Sequence, residues 1–155
     1  MDLSIIIVSW NTKHLLQQCL RSVEEQVETF TPSAAGPRST AWPERSRRVE
    51  TFVVDNASTD GSAAMVRQRF PRVRLLENSD NLGFAAANNQ AIRESKARYV
   101  LLLNSDTQLR AGALEELLDF MEGHPGTGGC GARLLNPDGS LQPSCHPMLT
   151  PWREF

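Results

Sequence analysis

Two acidic residues follow short, mostly apolar segments of this chain, and their positions suggest a shared role. Asp55 comes directly after residues 51–54, and Asp106 is the third residue after the apolar run 100–103. In open α/β sheets, ligands bind outside the carboxyl ends of the parallel strands. We therefore expect both carboxylates at one cleft, which binds a polar ligand that carries a metal ion.

Asp106 has the chemistry of a ligand for a divalent cation. Mg²⁺ and Mn²⁺ prefer oxygen ligands and typically bind one or two protein carboxylates together with substrate phosphates. Asn104 lies two residues earlier and therefore on the same side of the strand. A nucleoside diphosphate held beside Asp106 would complete such a site. The alternative, that Asp106 caps the following turn, stays open on the sequence alone.

The segment that begins at Asp55 (Asp-Asn-Ala-Ser-Thr-Asp-Gly-Ser) allows more than one interpretation. Side chains of this kind bond to nearby backbone amides, so the segment is also a good turn and helix start. An EF-hand calcium loop needs an oxygen ligand at its third position and Gly at its sixth. Ala57 and Asp60 occupy those positions here, which excludes that class of site.

Small residues occur at the start of a predicted helix at 82–94. Such residues let a ligand approach the exposed backbone N–H groups, where the helix dipole favours anions. Ala85, Ala86 and Ala87 are equally suited to close packing on a sheet, and the two roles are compatible. The chain has neither a GxxxxGK[ST] nor a GxGxxG motif after a strand, which argues against a P-loop or a dinucleotide-binding site.

The elements that position these residues alternate between strand and helix. Strands are predicted at 3–8, 51–54, 73–76 and 99–103. Helices are predicted from Asn11 or Thr12 to Gln26, from Ser58 or Asp60 to Phe70, at 82–94 and at 113–121. This alternation indicates parallel βαβ units with right-handed crossovers. The predicted fold class is therefore α/β, with a mostly parallel sheet flanked by helices.

Composition narrows the class of protein. A chain of 155 residues, 40% hydrophobic and 22% charged, is typical of one globular domain. A net charge of −2 gives no reason to expect nucleic acid as a partner. Three cysteines without CxxC spacing argue against a disulfide framework and a zinc site. The N-terminus does not resemble a signal peptide, and no apolar run reaches the roughly 18–20 residues of a membrane span.

One predicted connection, residues 28–48, is unusually long. It is rich in Pro, Ala and Gly and carries a basic cluster at Arg45, Arg47 and Arg48, whereas roughly two to six residues are typical of such a connection. We interpret the segment as a flexible surface insertion. The alternative is a basic arm, with Trp42 beside the arginines, that contacts an anionic lipid surface or a phosphorylated acceptor.

Four motifs occur in the same order as in a known enzyme family. They are Ile-Ile-Val-Ser-Trp-Asn at 6–11, Val-Val-Asp-Asn-Ala-Ser-Thr-Asp-Gly-Ser at 53–62, Asn-Leu-Gly-Phe-Ala at 81–85 and Leu-Asn-Ser-Asp-Thr at 103–107. Together they resemble the family 2 inverting glycosyltransferases, most of all the rhamnosyltransferase-like branch, in which Asn-Pro-Asp-Gly-Ser-Leu-Gln at 136–142 also recurs. The resemblance covers about residues 3–150, apart from the insertion.

The resemblance implies the GT-A fold, which is Rossmann-like, and a site for a nucleotide-diphosphate-sugar donor. Matched by position, Val8, Ser9 and Asn11 would line the nucleoside pocket. Asp55 would accept a hydrogen bond from the imide N–H of uracil or thymine. A UDP-sugar and a dTDP-sugar would therefore fit alike.

The same resemblance places the rest of the donor near the two later motifs. Asn81 and Gly83 would contact the ribose, the phosphates or the sugar. Asn104 and Asp106 match the family's Asp-x-Asp site, with Asn in place of the first Asp, and Asp106 would bind the divalent cation, Mg²⁺ or Mn²⁺. The reaction would be a direct displacement at the anomeric carbon, with the metal ion stabilising the departing diphosphate.

A general base for the acceptor hydroxyl is not found in this chain. The family supplies it from a C-terminal acceptor-binding half. His146, Asp138 and Glu154 are the available candidates, and none stands where the family places its base. We therefore expect residues 1–155 to be an incomplete domain, truncated to the N-terminal donor-binding half, with the acceptor half lost or on a separate chain.

Two functions follow as alternatives. The first is a glycosyltransferase that transfers a hexosyl or rhamnosyl group from a UDP- or dTDP-sugar, with inversion, to a glycan or lipid-linked acceptor in cell-envelope polysaccharide synthesis. The second is a catalytically inactive module that binds nucleotide sugars. For both we expect a cytoplasmic location, with peripheral association at the inner face of the membrane as a further option.

Overall fold

The structure of the chain is a computed structural model that describes residues 2–30 and 48–143, apart from the side chains of residues 29 and 30. Most of the predicted insertion at 28–48 therefore lies outside the described residues, as do His146 and Glu154. The chain divides into two compact units, Met1–Gly112 and Ala113–Phe155. All four strands of the sheet belong to the first unit.

The first unit is built on a four-stranded parallel sheet. Its strands are β1 (Leu3–Ser9), β2 (Val49–Asp55), β3 (Arg74–Glu77) and β4 (Tyr99–Asn104), in the order β3-β2-β1-β4. β1 is rich in Ile, and all but one of its residues are buried, as expected for a central strand with helices over both faces. The predicted α/β fold with a parallel sheet is confirmed.

The order of the strands reverses beside β1. β1, β2 and β3 follow one another toward one edge of the sheet, whereas β4 lies on the other side of β1. Right-handed crossovers then place the helices that connect β1, β2 and β3 on one face, and the helix between β3 and β4 on the other. The loops after β1 and β4 diverge as a result, which opens a crevice of the kind that binds ligands in such sheets.

The described residues contain four helices: α1 (Lys13–Phe30), α2 (Ser62–Arg69), α3 (Phe84–Glu94) and α4 (Ala113–Gly123). Each matches a predicted helix, with shifted ends. α1 continues past the predicted end at Gln26, so residues 28–30 of the predicted insertion are helical. α2 begins at Ser62 rather than at Ser58 or Asp60, because Gly61 occupies the N-cap position in a left-handed conformation. In the described ranges, no helix is long and apolar enough to cross a membrane.

α3 packs against β1 and β2 through small side chains. Ala87 is buried in a core cluster whose other buried members are Ile6, Phe52, Val54 and Ala91. Of the three alanines that could serve either a ligand or the core, Ala87 packs on the sheet, whereas Ala85 and Ala86 are exposed. Both expected roles therefore remain compatible with the structure.

α1 has an apolar stripe of buried residues at helical spacing: Leu16, Cys19, Leu20 and Val23. The Sγ atom of Cys19 lies 3.6 Å from the carbonyl oxygen of Asn104, so α1 supports the end of β4. Burial raises the pKa of the Cys19 thiol from its ordinary value of 9.0 to about 12, and the negative charge of Asp106 adds to the increase.

The second unit contains α4 and, among its described residues, a short hairpin. Leu135 and Leu141 pair in an antiparallel bridge. The backbone N–H of Gly139 donates to the carbonyl oxygen of Asn136 at 2.9 Å, and Gly139 has a φ angle of 84°, which favours glycine. The sequence motif at 136–142 therefore forms the turn of this hairpin.

Candidate functional site

A cavity of about 400 Å³ lies in the crevice between the ends of β1 and β4. This volume is within the range of small-molecule binding sites, and the position is the one expected where the strand order reverses. Five residues with a predicted site role line it: Val8, Asn81, Gly83, Asn104 and Asp106. The fold thus brings together side chains from β1, from the loop before α3 and from the end of β4.

Three other residues with a predicted role, Ser9, Asn11 and Asp55, are placed beside the cavity lining rather than in it. The Ser9 hydroxyl lies 3.0 Å from that of Thr12. Asn11 has a φ angle of 54°, and its Oδ1 accepts a hydrogen bond from the backbone N–H of Thr59 at 2.8 Å. Asn11 therefore ties the loop after β1 to the loop after β2.

Asp55 is a buried carboxylate, and only one of its two oxygen atoms has a hydrogen-bond partner among the described residues. Its Oδ2 accepts a hydrogen bond from the backbone N–H of Ser58 at 2.9 Å. Its Oδ1 is buried and has no hydrogen-bond partner in the described part of the chain, a property shared there with Oδ1 of Asn88. Because a buried, unpaired acceptor is destabilising, Asp55 Oδ1 is suited to a donor supplied by a ligand.

The turn that carries Asp106 is closed by the backbone, since the N–H of Thr107 donates to the carbonyl oxygen of Asn104 at 3.1 Å. Asp106 and Asn104 are both exposed. Among the described residues, no backbone N–H donates to the Asp106 carboxylate. In the described part of the chain, Asp106 therefore does not cap the turn, and its role as a ligand-binding carboxylate stays a prediction.

A metal ion at this site would need oxygen ligands from outside the protein. The described ranges contain no group of three or more His, Cys, Asp or Glu side chains that could hold a metal ion. Asp106 contributes one carboxylate, with the Asn104 amide nearby on the cavity wall. This donor set fits Mg²⁺ or Mn²⁺ that is ligated largely by phosphate oxygens and water.

Several lining residues were missed by the sequence analysis. Trp10, Leu15 and Phe84 are 56%, 45% and 54% exposed, and they form an apolar part of the wall. A large aromatic residue directly after a buried strand, at the ligand-binding edge of the sheet, was the signal that could have identified Trp10. A planar, exposed indole provides a surface on which a nucleobase can stack.

Asn56 was also missed, although it follows Asp55 directly. It is buried, it lines the cavity, and its Nδ2 donates to Oδ1 of Asn81 at 2.6 Å. Its Oδ1 accepts hydrogen bonds from the backbone N–H of Leu82 at 3.0 Å and from Nδ2 of Asn78 at 3.1 Å. These bonds attach the loop before α3 to the end of β2.

Gly83 has a structural reason to be glycine. Its φ and ψ angles are 80° and 166°, a combination that residues with a Cβ atom rarely adopt. Its backbone N–H donates to Oδ1 of Asn81 at 2.9 Å. Space is not the constraint, since a Cβ atom at Gly83 would meet nothing within 4 Å.

On the side of the cavity formed by β4, hydroxyl groups connect the end of β1 to the turn after β4. The Oγ1 of Thr12 lies 3.0 Å from Oγ of Ser9 and donates to Oγ of Ser105 at 3.0 Å. Ser105 is the residue between Asn104 and Asp106. The end of β1 therefore helps to position the turn that carries Asp106.

Asp60 holds the starts of two helices. Its Oδ2 accepts a hydrogen bond from the backbone N–H of Lys13 at 2.8 Å, and its Oδ1 accepts one from the backbone N–H of Ser62 at 2.9 Å. Desolvation acts to raise the pKa of Asp60, but the hydrogen bonds from Ser62 and Lys13 outweigh it and hold the pKa below its usual value. The polar loop after β2 therefore serves as a turn and helix start, which was one of the interpretations of this segment in the sequence.

Sequence comparison identifies the family to which this chain belongs. The model of Glycosyl transferase family 2 matches residues 4–148, and the chain belongs to this family. It is 34% identical over 113 residues to the N-acetylglucosaminyl-diphospho-decaprenol L-rhamnosyltransferase of Mycobacterium tuberculosis, with 66% of this chain and 37% of that protein aligned. The poly(ribitol-phosphate) beta-glucosyltransferase of Bacillus spizizenii is 28% identical over 124 residues, which cover 77% of this chain and 17% of that protein.

Solved structures share the fold. TarS 1–349 of S. aureus, in complex with UDP-GlcNAc, superposes with a TM-score of 0.64 at 21% identity, over 81% of this chain and 32% of that one. The mannosyltransferase PcManGT of Pyrobaculum calidifontis, in complex with GDP-Man and Mn²⁺, gives a TM-score of 0.61 at 25% identity, over 77% of this chain and 32% of that one. The architecture is therefore GT-A-like, and this chain spans less than half the length of these relatives.

Proposed function

We propose that this chain is the donor-binding part of an inverting glycosyltransferase that uses a UDP- or dTDP-sugar. The proposed reaction transfers a hexosyl or rhamnosyl group to a glycan or lipid-linked acceptor of the cell envelope. The observation that carries the proposal is the cavity itself, in which Asp106 and the Asn81–Gly83 loop line one crevice where the strand order reverses. The M. tuberculosis relative, which is named an N-acetylglucosaminyl-diphospho-decaprenol L-rhamnosyltransferase, supports the proposal of a lipid-linked acceptor.

The nucleoside would bind on the β2 side of the crevice. Asp55 Oδ1, which is buried without a partner in the described residues, is suited to accept the imide N–H of uracil or thymine. The exposed indole of Trp10 supplies a stacking surface for the same base. Neither contact distinguishes uracil from thymine, so both nucleotides are candidate ligands.

The diphosphate would bind on the β4 side, between Asn81 and the Asp106 turn. Asp106, assisted by Asn104, would hold a divalent cation there. A cation in this position would neutralise charge on the departing diphosphate. The protein's own part is to orient the nucleotide so that the anomeric carbon faces the open side of the cavity, where an acceptor can approach.

The described part of the chain offers no general base at the cavity, because Asp106 is the one acidic residue in its lining and no histidine is present there. Among the sequence candidates, Asp138 is a poor base. Hydrogen bonds from the hydroxyl and the backbone N–H of Ser140 hold its pKa below the usual value. His146 and Glu154 lie outside the described residues. We assign the base to an acceptor-binding half, in the same protein or on a separate chain.

The same observation favours a second candidate function, a nucleotide-sugar-binding module without turnover. Turnover with a supplied acceptor distinguishes the two functions, since only the enzyme releases the free nucleotide in an acceptor-dependent way. A cytoplasmic site of action at the inner face of the membrane is part of the first proposal, because a lipid-linked acceptor is presented at that surface.

The decisive experiment is calorimetric titration of UDP and dTDP into the protein, with and without Mn²⁺, beside the variant Asp106→Ala. We expect Mn²⁺ to lower the Kd of the wild-type chain for the nucleotide by about tenfold or more. In Asp106→Ala we expect this effect of Mn²⁺ to be lost. Circular dichroism of both proteins controls for folding. A folded wild-type chain that binds neither nucleotide would refute the proposed function.

A further inference from the structure

We infer that Asn56 is a positioning residue that fixes the side chain of Asn81 with its NH₂ group toward the cavity, where that group donates to a phosphate oxygen of the bound nucleotide. The identity of the ligand rests on the proposed function. The orientation of the two amides does not, because it follows from hydrogen bonds within the protein.

The orientation of the Asn56 amide is set by a backbone group. The N–H of Leu82 can only donate, so the Asn56 atom that it contacts at 3.0 Å is Oδ1. The other terminal atom of Asn56 is therefore Nδ2, which donates. It lies 2.6 Å from Asn81, and the atom of Asn81 that receives this hydrogen bond must be Oδ1.

A second backbone group sets the orientation of Asn81 independently. The N–H of Gly83 donates to the same Oδ1 atom of Asn81 at 2.9 Å. An amide oxygen has two lone pairs, and both are now occupied by donors from the protein. Asn81 is exposed and lines the cavity, so the group left for a ligand is its Nδ2.

Asn56 itself has little freedom to rotate. It is 2% exposed, and its backbone N–H donates to the carbonyl oxygen of Ser9 at 2.8 Å. Its Oδ1 also accepts from Nδ2 of Asn78, whose amide pairs with that of Gln90 through two hydrogen bonds of 2.9 Å. The amide chain therefore joins the ends of β1 and β2 to α3, and Asn81 is its last, ligand-facing member.

A phosphate oxygen is the natural partner for this NH₂ group. Phosphate oxygens accept hydrogen bonds and do not donate at neutral pH, and bonds to charged acceptors are stronger than neutral ones. Asp106, on the same cavity, has the opposite property, since its carboxylate repels a phosphate unless a cation lies between them. Asn81 therefore gives the cavity a contact with phosphate that needs no metal ion.

The variant Asn81→Asp tests the polarity of this contact. One carboxylate oxygen replaces Oδ1 and still accepts from Asn56 and Gly83, whereas the other replaces the NH₂ group and faces the cavity. We expect calorimetry to show UDP affinity lowered by about tenfold or more in the absence of metal, with uridine affinity changed less. Asn89→Asp is the matched control, because it makes the same Asn-to-Asp change at an exposed residue of α3 that does not line the cavity, and it should leave UDP affinity intact. Wild-type UDP affinity in Asn81→Asp would overturn the proposed phosphate contact.

The variant Asn56→Asp tests the positioning role without any ligand. It keeps an oxygen for Leu82 but replaces the donor to Asn81 with an acceptor. Amide hydrogen exchange, measured by NMR on the nucleotide-free protein, should show faster exchange at Gly83 and retained protection at Leu82. Unchanged protection at Gly83 would overturn the role of Asn56. If the wild-type chain binds no UDP, the proposed function and the phosphate contact fail together, whereas the Gly83 exchange rate still decides the positioning role.

Discussion

The two walls of the cavity are built in different ways. On the β2 side, Asp55 and Asn56 are buried, and Asn56 makes three side-chain hydrogen bonds. On the β4 side, Asn104 and Asp106 are exposed. Their turn is held by one backbone hydrogen bond, by the hydroxyl contact between Thr12 and Ser105, and by the Cys19 thiol at the carbonyl oxygen of Asn104. The β2 wall is thus preorganised by the fold, whereas the β4 wall leaves its carboxylate exposed, as the proposed binding of a cation by Asp106 requires.

The largest expected effect is a difference in the free energy of unfolding between variants in the two walls. Asn56→Leu removes the hydrogen-bond acceptor of the Leu82 N–H and one of the hydrogen-bond partners of Asn78 and of Asn81. We expect the free energy of unfolding to fall by about 2–4 kcal/mol. Asp106→Ala should change it by less than about 0.5 kcal/mol, because that side chain is exposed. Urea denaturation measures both. Equal losses in the two variants would show that the walls do not differ in this way.

A smaller effect is expected at Thr12, which connects the two walls through β1. Thr12→Val keeps the shape of the side chain and removes the hydroxyl between Ser9 and Ser105. We expect the Mn²⁺-dependent gain in UDP affinity to fall about fivefold, corresponding to one hydrogen bond of about 1 kcal/mol, with metal-free affinity unchanged. Calorimetry with and without Mn²⁺ provides both values. A loss of metal-free affinity would instead place Thr12 with the β2 wall.

The smallest effect concerns the thiol beneath the β4 wall. Because the pKa of Cys19 is raised to about 12, its thiol should stay unreactive toward iodoacetamide at pH 8, whereas the exposed Cys130 reacts. A Cys145→Ser background limits the assay to these two thiols, and mass spectrometry gives the site of alkylation. Prompt labelling of Cys19 would reveal a β4 wall that opens readily.

The raised pKa of the same thiol also predicts how the free energy of unfolding changes with pH. The folded state favours the neutral thiol, so its contribution is present below the ordinary pKa of 9.0 and is lost as pH rises toward about 12. Comparing the free energy of unfolding of the wild type and Cys19→Ala across this range isolates the contribution. A difference that does not depend on pH would contradict the raised pKa.

The elements of the fold were predictable because their signals are local. The apolar run of β1 and the helical spacing of Leu16, Cys19 and Leu20 define a strand and a helix without knowledge of the rest of the chain. The start of α2 was misplaced, because Asp60 acts from outside the helix and Gly61 takes the cap position. An acidic residue before a helix does not by itself show where the helix begins.

The cavity was only partly predictable. Asp106 and Asn81 could be named from their motifs, but the position of each depends on partners far away in the sequence. Asn56 and Asn81 are 25 residues apart, and Thr12 and Ser105 are 93 residues apart. Such pairs are created by the packing of the sheet. A single sequence therefore identifies the residues with suitable chemistry more readily than it identifies the residues that hold them in position.

The carboxylate of Asp60 has a consequence for how the first unit unfolds. It accepts the first backbone N–H of α1 at Lys13 and of α2 at Ser62, so neither helix can lose its start without weakening the other. The first two βα segments should therefore open as one cooperative unit, with matching exchange rates at these two amides. Since the pKa of Asp60 is lowered, this coupling is present above its ordinary pKa and disappears as pH falls through the lowered value. In acid, both helix starts would fray together.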